Sequence, residues 1–394
     1  MHPLAGTTVL QLVPALEPNP AARAAIDVAA ALGAVGARAL VACSGGLLTG
    51  ELQAKGGLFV HFPTRTKNPF AMALNAHRLA RLIAAERADV VHVRSRALAW
   101  VAYSATRLTK TPFVTSFCSG YQGSNPIPLR YNSVLARGDT VLADSRFSAR
   151  LAAKLYRPSG KIRIIRHGLE RRVFAPSAVT PARVQAVREQ WKAAPHEQIA
   201  LLPALMGPGS GHKVLVDAAR LLARSGLTGV KFVLASDNQL AAVLGRDIDR
   251  AIARAGLQDI MYRGLHRDLP AELLAASIVI VPATEARAFG VAAIQAQAMG
   301  TPVIAANVGA APEIVLAPPI VKEPLRTGFL VPPGDAAALA VAIARVLKLG
   351  ATACSKLSAR AIDHAGTCFS VERMCAETLE AYEIVRHGSK RRRT

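Results

Sequence analysis

Aromatic side chains are scarce in this chain, and so are acids. Phe, Trp and Tyr supply 5% of its 394 residues. That is too few for a base-stacking face, and no helix-turn-helix, RNA-recognition or zinc-finger spacing occurs, which argues against nucleic acid as the partner. Against 48 Lys and Arg stand 26 Asp and Glu, a formal charge of +22. A surplus of that size calls for a polyanionic neighbour: nucleic acid, anionic lipid headgroups or phosphorylated substrates. An anionic membrane surface fits best, because each Lys or Arg near one is worth roughly 1 kcal/mol. No stretch approaches ~18 consecutive apolar residues, and no basic segment followed by a long apolar run opens the chain, so neither a membrane span nor a signal peptide is expected. The expected location is the cytoplasm, peripheral on the inner face of the membrane. Five cysteines, Cys43, Cys118, Cys354, Cys368 and Cys375, are odd in number, scattered and never spaced CxxC. They read as reduced thiols, with no disulfide framework, no metal and no cofactor.

What the sequence does contain is a long alternation of apolar runs and Ala-rich segments, with 51% hydrophobic residues. Strands are expected at 8–13 (TVLQLV), 38–43, 58–61, 89–93 (DVVHV), 112–117 and 162–165, and helices at 21–33, 75–86 and 146–156. Residues 176–195 are polar and lack a strand pattern, which suggests a linker with one helix and a domain boundary near residue 185. Beyond it the alternation resumes with strands at 199–202, 230–236 and 260–264, and helices at 214–225 and 238–255. Helices from Ala336 and from Val371 close the chain. Two parallel, doubly wound α/β domains follow from this order.

The most informative stretch is 281–303, VPATEARAFGVAAIQAQAMGTPV. An apolar run ends at Pro282, a loop runs to Gly290, small residues recur to Gly300, and TPVIA restarts a strand. In such a βαβ unit the loop and the first helical turn face the ligand crevice. This stretch resembles the signature of family-4 glycosyltransferases, retaining enzymes of GT-B fold, E-x-F-G-x-x-x-x-E-A-x-A-x-G-x-P-V. Phe289, Gly290, Ala296, Ala298, Gly300, Pro302 and Val303 fit without a gap, whereas the two glutamates fall on Arg287 and Gln295.

The resemblance spans nearly the whole chain, and it implies a GT-B arrangement of two Rossmann-like domains facing a cleft. The implied divisions are an acceptor-side domain at 1–185, a donor-side domain at 186–368, a last helix at 369–388 returning to the first domain, and a basic tail at 389–394. The family loop P-A-L-x-x-G-G-A-E-R is matched at Pro14, Ala15, Leu16 and Arg23, but Asn19 and Pro20 replace its glycines. Pro lacks an N–H and fixes φ, so this loop reads as a connector rather than an anion turn. Arg94, Ser95 and Arg96 match an R-S-R that could hold an anionic acceptor; a solvated loop is an equal reading. The family's strand-end His is replaced by Cys118, for which packing is the stronger reading.

In the second half, a strand, the loop PALMGPGSGHK and a helix give the context of a phosphate cradle with Lys213 at the helix start. It is not a Walker A loop, since His212 separates Gly211 from Lys213 and no Ser or Thr follows. Laid on the family frame G-R-L-T-x-x-K-G, the Arg and Lys that neutralise the donor diphosphate become Leu205 and Ser210. The donor-site set implied by the resemblance is therefore Leu205, Ser210, Gly211, Lys213, Arg287, Phe289, Gly290 and Gln295. Four of its charged positions are substituted, which favours an impaired or non-catalytic homologue of envelope polysaccharide or lipopolysaccharide assembly. Its expected ligands are a nucleotide or nucleotide-sugar, with a partner glycosyltransferase or the membrane as further partners. The alternative is an active transferase with a rebuilt donor site, in which Arg287 holds the diphosphate and Gln295 accepts a ribose hydroxyl.

Overall fold

Among the described residues every strand pairing is parallel, and the central strands are buried along most of their length, as expected where helices cover both faces of a sheet, while the edge strand at 58–61 and the edge strand at 161–164 are partly exposed. The computed structural model describes residues 2–64, 68–118, 125–203, 207–236, 241–286 and 290–390. Seven strands, β1 (Thr8–Leu12), β2 (Arg38–Cys43), β3 (Leu58–His61), β4 (Val90–Val93), β5 (Phe113–Phe117), β6 (Thr140–Ala143) and β7 (Lys161–Ile164), form one sheet. Six more, β8 (Gln198–Pro203), β9 (Val230–Ser236), β10 (Met261–Leu265), β11 (Ile278–Val281), β12 (Val303–Ala306) and β13 (Phe329–Val331), form the other. The orders are β3-β2-β1-β4-β5-β6-β7 and β10-β9-β8-β11-β12-β13. Strand order reverses at β1, which pairs with both β2 and β4, and at β8, which pairs with both β9 and β11. A doubly wound sheet opens a crevice at such a reversal, outside the strands' carboxyl ends.

By contacts the chain divides into Met1–Gly168 with Val371–Thr394, and Leu169–Ser370. The first unit thus closes at Gly168, ahead of the boundary expected near residue 185. The polar stretch expected to be a linker belongs to the second unit. Its helix Pro181–Gln190 is tied there by Arg183, which donates two 2.7 Å hydrogen bonds to Asp268, and Trp191, just past the helix end, is fully buried.

The last helix, Val371–Lys390, belongs to the first unit and packs beside the helix Pro20–Ala34. Its Tyr382 hydroxyl lies 2.6 Å from His92 Nδ1, and His92 Nε2 lies 2.8 Å from Ser116 Oγ. Burial, with Arg94 adding to it, pushes the His92 pKa well down, so the ring is neutral and fully paired. Asn19 and Pro20 have a local role: the Asn19 side chain accepts from the Ala22 N–H at 3.0 Å and Pro20 opens the helix. They form a helix start, the N-cap and Pro-first pairing that suits both residues. Among the described residues no single helix is long and apolar enough to cross a membrane.

Candidate functional site

The crevice of the second unit lies where β8 and β11 part. After β8 the chain turns on Gly209 (φ +76) and Gly211 (φ +80) and enters the helix His212–Arg224. A Cβ on Gly211 would fall 1.8 Å from the Pro282 carbonyl oxygen, so the loop after β8 is pressed against the loop after β11. The Thr284 N–H donates to Gly209 O at 2.9 Å and joins the two loops. A cavity of about 370 Å³ opens here, bounded by residues 207–214, Thr284, and Asp247 and Ile248 of the helix Ala241–Ala255. Gly211 stands at the N-cap and supplies no side-chain acceptor. The first-turn N–H groups of His212–Arg224, which have no intrahelical acceptor, and the helix dipole therefore favour an anion at this end.

Two side chains set the character of this loop. Ser210 Oγ receives the Gly207 N–H at 3.3 Å, donates to Gly207 O at 2.5 Å and lies 2.7 Å from His212 Nδ1. His212 is 4% exposed, and its Nε2 has no hydrogen-bond partner among the described residues. Burial lowers its pKa to about 4. Between about 6.5 and 4 the unfolded chain binds a proton that the native His212 refuses, so its contribution is intact above 6.5 and is lost as pH falls through that window. At ~1.4 kcal/mol per pH unit the loss reaches ~3 kcal/mol. Denaturant titrations across this range should give a shallower pH slope for His212→Gln than for the parent; equal slopes would mean that His212 titrates as freely as in the unfolded chain.

Ser210, Gly211 and Lys213 line the cavity, with Lys213 exposed. Gly290 is the N-cap residue of the helix Val291–Ala298. Gln295 is half-buried on that helix and is not among the residues that bound the cavity. Leu205, Arg287 and Phe289 lie outside the described residues. The cavity also recruits His212, Asp247 and Thr284, which the sequence reading did not single out. Glu285 stands beside it, since a Cβ on Gly209 would lie 3.0 to 3.2 Å from the Glu285 Cβ, Cδ and Oε2.

In the first unit the residues expected to face an acceptor separate. Arg23 makes a surface ion pair with Glu51 at 2.6 Å, an arrangement worth little energetically. Ser95 starts the helix Arg96–Thr109 without a side-chain cap bond, and Arg96 donates to Asn132 Oδ1 at 3.3 Å. Arg94 instead points to the sheet's carboxyl edge, where its guanidinium donates to Gln11 Oε1 at 3.1 Å. There it lines a small cavity together with Cys118, Asp144, Arg166 and His167. Of the four acceptor-side residues only Arg94 reaches this cavity. Burial lowers the His167 pKa, against the Asp144 carboxylate and with Arg94. Dense surroundings and Asp144 raise the Cys118 thiol. The Cys118 side chain is exposed, and its thiol is protonated at neutral pH.

Residues 21–172 match the family description Glycosyltransferase Family 4, and residues 198–349 match Glycosyl transferases group 1. A D-inositol 3-phosphate glycosyltransferase of Streptomyces avermitilis is 29% identical over 277 residues, covering 66% of this chain and 54% of that protein. The match thus spans about half the length of that relative. A crystal structure of a glycosyltransferase from Rickettsia africae superposes with a TM-score of 0.83 at 29% identity, covering 96% of this chain and 98% of the other. Anabaena HepE, solved in complex with UDP and glucose, superposes with a TM-score of 0.77 at 20% identity over 95% of this chain and 99% of that one. At that identity it speaks for the fold.

Proposed function

Because this chain is a glycosyltransferase family 4-like protein of the GT-B fold, we propose that it binds a nucleotide or nucleotide-sugar in envelope polysaccharide or lipopolysaccharide assembly while transferring sugar poorly or not at all. The observation that carries this reading is the chemistry of the pocket at 207–213. It offers a glycine cradle, an open helix start and Lys213. Yet the side chain where a second cation is expected is the neutral Ser210, turned onto Gly207 and His212, and Asp247 adds an acid to the wall. Retaining transfer needs cations on the departing diphosphate and stabilisation of an oxocarbenium-like centre. With Leu205 and Ser210 in place of two cations, and Arg287 and Gln295 in place of two carboxylates, this chain retains the means to hold phosphate and loses most of the means to drive its departure. Its place is the cytoplasmic face of the membrane, where the +22 surplus meets anionic headgroups and a partner glycosyltransferase supplies the chemistry.

One observation favours an active enzyme with a rebuilt site. Glu285 sits over Gly209, so a carboxylate stands near the pocket two residues from the family position. Calorimetric titration with UDP, GDP, ADP and UDP-glucose tests the binding reading. At least one nucleotide should bind weakly, and Lys213→Ala should weaken it about ten-fold, the value of a charge-assisted hydrogen bond of ~1.5 kcal/mol. Heat from none of them would remove the proposal.

A further inference from the structure

Three side chains of the first unit that the nucleotide pocket does not use converge at the carboxyl ends of neighbouring strands. Cys118 directly follows β5, Asp144 directly follows β6, and His167 comes three residues after β7. Parallel order sets those three ends side by side. One ligand atom from each residue, a thiol sulfur, a carboxylate oxygen and a ring nitrogen, lies within 4.8 Å of the other two. The cavity they line, with Arg94 and Met374, measures about 50 Å³. A water needs ~10–15 Å³ of such space, so an ion with a water fits and a sugar does not.

A second observation points into the same space. Asp144 is 3% exposed. Its Oδ1 accepts from Ser145 Oγ at 2.9 Å, while its Oδ2 makes no well-formed hydrogen bond among the described residues, with His167 Nε2 3.9 Å away and the Cys118 thiol the other donor beside the carboxylate. A buried carboxylate oxygen left so is costly unless a cation or donor meets it. The Ser145 bond meanwhile orients the carboxylate, as outer-shell partners of metal ligands do.

We propose that Cys118, Asp144 and His167 form a three-ligand site for a transition-metal dication of the zinc class. A sulfur, nitrogen and oxygen donor set suits borderline-soft Zn²⁺, whereas Mg²⁺ and Ca²⁺ demand oxygen throughout. Three protein ligands leave a fourth tetrahedral position for water, on the side where Cys118 is exposed. Zinc ligands stand roughly 3.5 Å apart when each lies ~2.0–2.3 Å from the ion, so side-chain shifts of about 1 Å close the site. Binding releases the thiol proton to solvent, and thiolate plus carboxylate then neutralise the dication. The bound centre therefore adds little repulsion beside Arg94, which stays hydrogen-bonded to Gln11 Oε1. The absence of any CxxC spacing hid this possibility, because the three ligands come from three separate loops.

The test needs no nucleotide and is independent of the reading given for the second unit. The full chain is stripped with a chelator, dialysed against Zn²⁺ to count the ions retained, and titrated with Co²⁺ while its absorption is followed. A single ion per chain and a thiolate-to-cobalt charge-transfer band are expected. Cys118→Ser, at an exposed position, should fold as the parent does by circular dichroism, lose the band and weaken Co²⁺ binding at least ten-fold. His167→Gln, the second variant, should weaken it comparably while keeping the band at saturating Co²⁺. No ion retained by the parent, or a band and stoichiometry unchanged in Cys118→Ser, would overturn the assignment.

Discussion

Replacing Gly211 by Ala should destabilise the second unit by about 3 kcal/mol or more and abolish nucleotide binding. At φ +80 an L side chain is strained by ~1–2 kcal/mol before any contact is considered. The larger penalty is steric: the new Cβ would meet the Pro282 carbonyl oxygen at 1.8 Å and its carbonyl carbon at 2.5 Å. Both are backbone atoms at the end of β11 and cannot rotate aside. Relief requires the two loops that bound the cavity to separate, which removes the Thr284 to Gly209 bond and spoils the cradle. Gly207 provides the control, since nothing among the described residues lies within 4 Å of a Cβ added there. Gly207→Ala should be neutral or stabilising by about 0.5 kcal/mol through the unfolded chain. Trp191, buried in the second unit, reports its unfolding in a Trp100→Phe background. A Gly211→Ala midpoint close to that of Gly207→Ala would show that the loops are not locked together.

Restoring the four substituted donor positions together, Leu205→Arg, Ser210→Lys, Arg287→Glu and Gln295→Glu, should raise nucleotide-sugar affinity by ten-fold or more or expose hydrolysis. Each single change should do little. Counting formal charge, the family set carries two positive and two negative groups, whereas this chain carries the one charge of Arg287. Groups that act on one diphosphate and one sugar behave as a unit, so their effects do not add. Ser210→Lys alone should even cost stability, because it removes the hydroxyl that bridges Gly207 and His212. A folded quadruple variant that binds UDP-glucose no better than the parent would show that the scaffold has diverged along with the residues.

The fold was legible because the signals that encode it are redundant. Largely buried parallel strands read as mainly apolar runs, and 38–43 and 230–236 coincide with β2 and β9, as does 58–61 with the more exposed edge strand β3. The helix Ala351–Cys368 escaped notice because its core face is Leu357, Ala361 and Ala365, small residues at helical spacing among polar ones that give weak periodicity. The contact division falls at Gly168 and not near residue 185 because residues 176–195 are polar along the chain while Arg183 and Trp191 tie them to the second unit, and pairing with Asp268 is invisible in the sequence. At the site, glycines and a lysine after an apolar run singled out the loop that lines the cavity of the second unit. His212 was passed over because the helix was expected to begin at 214; it begins two residues earlier, which makes His212 its first buried side chain. Convergence of Cys118, Asp144 and His167 depends on strand order, which no local pattern carries.

A chain that holds a nucleotide without turning its sugar over is distinguished from a working transferase by one assay. The most direct measurement incubates the unmodified protein with each nucleotide-sugar whose nucleotide it binds by calorimetry, with and without membrane lipid extract, and follows release of the free nucleoside diphosphate. Weak binding with no release above the protein-free control is the predicted result, while steady multiple-turnover release from any of them would contradict it and establish a working transferase with a rebuilt donor site.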